Sequence, residues 1–132
     1  MILEDYIEYV RGENDRCGDK GLSSLLKYSI GLSIESSEFL DELHKTVYFN
    51  KDVDKINMMS ELGDILYYFM SISNVFGVGI DDIIKANICK LKSRYPDGHR
   101  DGKDALKDKN KERQIIKEIL ENEKSTSTNT IK

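Results

Sequence analysis

The sequence predicts an all-α protein, a bundle of three or four long helices, and three observations lead there. The 132 residues include a single proline, Pro96, and proline is the residue that breaks helices from within. The glycines fall largely between segments, where they do least harm to a helix. Apolar residues recur every three or four positions, while the alternation that marks a strand is hard to find.

Taken in order, Met1 to about Val10 is expected to form a short first helix. Arg11 to Gly21 is polar and contains glycine, which predicts a loop. From Leu22 to about Val47, Leu25, Leu32, Phe39 and Leu43 mark one face of a second helix. Phe49 to Asp54 is a polar connection. The strongest pattern runs from Lys55 to about Phe76, where Met58, Leu62, Ile65, Phe69 and Ile72 repeat at helical spacing before Gly77 and Gly79. Asp81 and Asp82 favour the first turn of a further helix, which continues through Ile84, Ile88 and Leu91 to about Arg94. Tyr95 to Gly98 carries a proline-then-glycine turn signal. Ile115, Ile116, Ile119 and Leu120 give Lys111 to Glu121 a last amphipathic pattern. A chain of this length suits one domain, expected over residues 1–122, with a polar tail over 123–132 expected to be disordered.

Composition excludes several classes. The formal net charge is −4 and the pI about 5.2, whereas a nucleic-acid-binding domain shows a basic surplus. No apolar run approaches the ~18 residues that a membrane span needs, and no signal pattern opens the chain. Nucleic acid and membrane are therefore not expected as partners, and a cytoplasmic location is. Cys17 and Cys89 form no C-x-x-C pair and have no histidine cluster, which argues against zinc. Each is expected to be a small buried hydrophobe with a free thiol. His44 and His99 stand alone and take no role. No P-loop, dinucleotide fingerprint or nucleophile elbow occurs.

What remains is acid. Glu35 and Glu38 lie three apart on the second helix, and Glu61 and Asp64 three apart on the third. Residues at that spacing are neighbours on a helix surface, so each pair can aim two carboxylates at one point. With 24 acidic residues in the chain, a solvated helix face is the simpler account of either pair alone. The helical projection speaks against it. At about 100° per residue, Glu61 falls within the stripe of Met58, Ile65, Tyr68 and Ile72, with Asp64 at its edge. Glu35 and Glu42 flank the stripe of the second helix, with Glu38 further round. A carboxylate directed at a core is costly unless it is paired or bound to metal. Four carboxylates in one cavity repel, and magnesium, which takes oxygen ligands and bridges to phosphates, relieves that repulsion.

The fourth segment adds Asn87, Lys90 and Arg94 along one strip. Lysine and arginine there suit phosphate oxygens, or equally the negative end of their own helix. Tyr67 and Tyr68 follow Asp64 by a turn. Packing is the default role for Tyr68, and stacking on a base is the more specific alternative.

Three runs, Gly31 to Glu38, Glu61 to Tyr68 and Asn87 to Gly98, together resemble the MazG-like nucleoside triphosphate pyrophosphohydrolases, in that family's order and approximate spacing. The likeness covers roughly Leu22 to Gly98. Ile34 stands where many members carry a further glutamate, and Ser37 where many carry glycine. The resemblance implies a four-helix-bundle-like all-α fold, obligately oligomeric as a homodimer or homotetramer. It implies hydrolysis of nucleoside or deoxynucleoside triphosphates to monophosphate and pyrophosphate with magnesium, or manganese as a substitute. By the same likeness Glu35, Glu38, Glu61 and Asp64 are the metal ligands. Tyr68 helps hold the base, and Asn87, Lys90 and Arg94 contact nucleotide or phosphate. Glu38, Glu61 and Lys90 then carry catalysis. The same acid clusters occur in dimeric dUTPases and phosphoribosyl-ATP pyrophosphohydrolases, and a catalytically silent helical partner protein is a reading from another class.

Overall fold

The computed structural model describes residues 2–96, 98 and 108–128. Among them are five helices and no strand: α1 (Ile2–Arg16), α2 (Gly21–Tyr48), α3 (Lys55–Phe76), α4 (Ile80–Arg94) and α5 (Lys109–Thr128). The all-α expectation holds, and the five helices correspond to the five helical segments expected along the chain. No helix among the described residues is long and apolar enough to cross a membrane.

The α3 boundaries coincide with those expected from the sequence, because both ends carry strong signals. At the start, the Asp54 side chain accepts from the backbone N–H groups of Ile56 and Asn57 at 3.1 and 3.0 Å, satisfying donors that the first turn leaves open. At the end Gly77 takes the left-handed conformation, φ 72°. Its N–H donates to the Asn74 carbonyl, and that of Val78 to the Ser73 carbonyl, the paired bonds of a Schellman stop.

The same device corrects the reading of α1. The segment from Arg11 was expected to be a loop, yet the helix continues to Arg16. It ends at Gly18, φ 65°, where Gly18 N–H donates to Asp15 and Asp19 N–H to Asn14. Polarity misled there, since Asn14 is buried and makes the extra turn worth forming. At the other end of the chain, α5 opens on Asp108, whose carboxylate accepts from Asn110 and Lys111 N–H. It runs to Thr128, into the segment expected to be disordered; residues 129–132, like Met1, Asp97 and His99, lie outside the described set.

Contacts divide the chain into two compact units, Met1–Val78 and Gly79–Lys132. In the first, α2 and α3 pack along each other and α1 packs on α3. Val10, Tyr28 and Met70 are its fully buried hydrophobics. A polar network joins the three helices. Asn14 Nδ2 donates to Tyr28 Oη (2.8 Å) and Ser71 Oγ (3.2 Å), and Asn74 Nδ2 donates to Asn14 Oδ1 (3.1 Å). Tyr28 in turn donates to Asp19, which also holds Lys27 at 3.1 Å. Gly31 lets α2 approach the Tyr68 ring, since a Cβ there would lie 2.6 Å from Tyr68 Cδ1. In the second unit α4 packs on α5.

Candidate metal-binding site

The first unit brings two of the sequence motifs together. Glu35 and Glu38 come from α2 and Glu61 from the facing side of α3, and one carboxylate oxygen of each lies within 4.8 Å of the other two. Burial is graded across the cluster. Glu61 is 9% exposed, Glu35 half-buried and Glu38 exposed. This follows the helical projection, which turned Glu61 most directly inward. Asp64 is one turn further along α3 and exposed; it is absent from the triad, but its charge is felt at Glu35.

The electrostatics are those of crowded like charges. The Glu35 carboxyl is held above its ordinary range, first by burial, then by the charges of Glu38, Asp64 and Glu61, with a hydrogen bond to Glu61 in the same direction. Burial and neighbouring anions both penalise the ionised form. Among the described residues no lysine, arginine or histidine pairs with any of these four acids. The donor set fits a hard divalent cation. Ligands on opposite sides of an ion at about 2.1 Å stand about 4.2 Å apart, and the triad spans no more than 4.8 Å.

Tyr68 sits half-buried on α3 beside this cluster's helices, its ring against Gly31. Ring centroids lie 6.3 Å away at Tyr28 and 5.4 Å away at Tyr67. The packing role is thus met. His44, left without a role, lies against the rings of Tyr48 and Phe49. Cys17 and Cys89 are both free, as expected, but they are exposed where burial was expected.

Asn87, Lys90 and Arg94 belong to the second unit. Asn87 is exposed and Lys90 half-buried. Arg94 is engaged within that unit: Nε and Nη2 donate to the two carboxylate oxygens of buried Glu112 at 2.5 and 2.7 Å. This forked geometry is the strongest arrangement an arginine makes with a carboxylate, and it raises the guanidinium pKa further. Neither Glu112 nor the network of Asn14, Tyr28 and Asp19 was singled out in the sequence. Burial of polar residues inside a helical stripe is the only signal that marks them.

A family model described as the MazG nucleotide pyrophosphohydrolase domain matches residues 22–99, a stretch that contains all three motifs. No curated protein and no solved structure gives a significant match. With more than half of its length matched and an all-α fold to go with it, the chain belongs to the MazG nucleotide pyrophosphohydrolase family.

Proposed function

We propose that this chain hydrolyses nucleoside or deoxynucleoside triphosphates between the α- and β-phosphates, giving monophosphate and pyrophosphate, with magnesium held by Glu35, Glu38, Glu61 and Asp64. The observation that carries the reading is the convergence of three carboxylates within 4.8 Å, one of them buried, with no cationic side chain paired to them among the described residues. Magnesium there, or manganese in its place, would supply positive charge for the phosphate oxygens and a Lewis acid for the attacking water.

The residues divide the remaining work by their exposure. Glu61, the most buried, is the fixed ligand that orients the set. Glu38 is open to solvent and is suited to take the proton from the attacking water. Asp64, exposed and one turn from Glu61, completes the carboxylate set from α3. Lys90 and Asn87 supply a cation and an amide for phosphate oxygens. Arg94 adds a second cation. Tyr68 offers its ring edge to the base from a position fixed by Gly31. The free, exposed thiols suit the reducing conditions of a cytoplasm.

The test is product analysis on a panel of NTPs and dNTPs, dUTP and phosphoribosyl-ATP included, with magnesium and then with EDTA. Release of pyrophosphate and monophosphate only with magnesium supports the reading, and the substrate ranking names the base and sugar. Glu38→Gln and Glu61→Gln should each lower turnover by ~100-fold or more. Full turnover by either variant at saturating magnesium would sink the assignment.

A further inference from the structure

We propose that Glu112 is a positioning residue for the triphosphate: it grips one edge of the Arg94 guanidinium and so holds the opposite edge open to two phosphate oxygens. The inference rests on the reading of Arg94 as a phosphate ligand, and adds to it a residue beyond the matched residues 22–99. A guanidinium carries five N–H donors in one plane. Glu112 takes two of them, on Nε at 2.5 Å and on Nη2 at 2.7 Å. The second N–H of Nη2 and the two of Nη1 meet no acceptor among the described residues. One from each nitrogen forms a second fork, and such a fork matches the oxygens of a phosphate as well as those of a carboxylate. Arg94 can therefore keep its bonds to Glu112 while it binds an anion at its far edge.

The helix ends explain why the pair forms. Arg94 is the last residue of α4, where a cation complements the negative end of the helix. Glu112 lies in the first turn of α5, where an anion complements the positive end. The Asp108 cap fixes where α5 begins, and Glu112 N–H donates to the Asp108 carbonyl at 3.0 Å. Burial then points beyond packing. The side chains of Arg94 and Glu112 are 27% and 11% exposed, so both charges have lost much of their water. Their attraction does little more than offset that loss, and apolar side chains often hold two helices as well. What a carboxylate gives that a leucine cannot is direction. A free arginine turns about several bonds and loses that freedom on gripping a phosphate, whereas one already held does not.

Binding of inorganic tripolyphosphate to the full chain in magnesium buffer, followed by calorimetry, tests this without a known base and without turnover. Glu112→Gln keeps the shape of the side chain but loses its charge and one acceptor oxygen. It should weaken binding ~10-fold, and Arg94→Ala by at least as much. In the double variant Glu112→Gln should add nothing to the loss from Arg94→Ala, since a residue that acts through another has no effect once that one is gone. Should Glu112→Gln fail to fold, Glu112→Asp takes its place; it keeps the charge but is one methylene too short to hold the guanidinium in line, and should weaken binding in the same way. A role confined to packing would lower the melting temperature and leave the affinity of the folded chain unchanged, which would overturn the proposal. So would tighter binding by the variant, the mark of a carboxylate that competes with phosphate, or an equal loss with and without Arg94. Arg94→Ala binding as tightly as the wild type, or no binding by a folded wild type, would instead remove the phosphate reading of Arg94, and the proposal with it.

Discussion

Glu61 shows how much a single position reveals when charge and periodicity disagree. Its place in an apolar stripe is legible in the sequence, and the structure buries it. Its two carboxylate neighbours on α2 were legible only as a pair on another helix, because the pairing of α2 with α3 follows from tertiary packing. The crowding should make the metal-free fold less stable than it need be. Glu61→Gln removes one of the repelling charges, so in EDTA it should melt a few degrees above the wild type, about 1 kcal/mol. With millimolar magnesium the order should reverse, because only the wild type gains binding energy. A melting point in EDTA at or below that of the wild type would contradict the electrostatic account. Asp19 has the opposite shift. Its carboxyl is held below the ordinary range, first by the Tyr28 hydroxyl and then by Lys27. A depressed carboxylate adds stability that is full above its unfolded pKa of about 3.9 and is lost as pH falls through the lower folded value. Asp19→Asn should therefore flatten the acid limb of the melting temperature below about pH 4. An unchanged acid limb would show that the Asp19 contacts add nothing to the fold.

Among the elements, legibility tracked the strength of the end signals. The ends of α3 are marked by Asp54 and Gly77, and the expected span was correct. The C-terminal end of α1 was misjudged because Arg11 to Gly21 is polar and contains glycine, whereas the structure keeps Gly12 inside the helix and stops it at Gly18. Asp54→Ala should cost about 1 kcal/mol, the usual worth of such a cap, and lower the melting temperature by a few degrees. An unchanged midpoint would remove the cap from the account of α3. Gly31 tests the packing of α2 on α3. A methyl there would strike the Tyr68 ring, and overpacking of this kind costs about 1–3 kcal/mol. Gly31→Ala should destabilise strongly in the wild type and much less beside Tyr68→Ala. Equal costs in both backgrounds would show that Tyr68 is not what Gly31 accommodates.

At the scale of the whole molecule, the all-α class and the acid motifs were written in periodicity and spacing, but the grouping of the helices was not. The chain divides at Val78 and Gly79 into two units, and nothing in the local pattern distinguishes Gly79 from any other helix boundary. The Arg94–Glu112 fork joins positions 18 residues apart, across a segment without apolar periodicity, so Arg94 was assigned to phosphate or helix dipole and its carboxylate partner went unseen. The claim on which the functional reading rests is that the α2–α3 carboxylates hold a divalent cation, and it is tested most directly by titrating Mn²⁺ into the folded chain and following free ion by electron paramagnetic resonance. The account predicts saturable binding that magnesium displaces, weakened at least ~10-fold by Glu61→Gln and by Glu38→Gln. Equal affinity in the variants, or no saturable binding to a folded wild type, would contradict it.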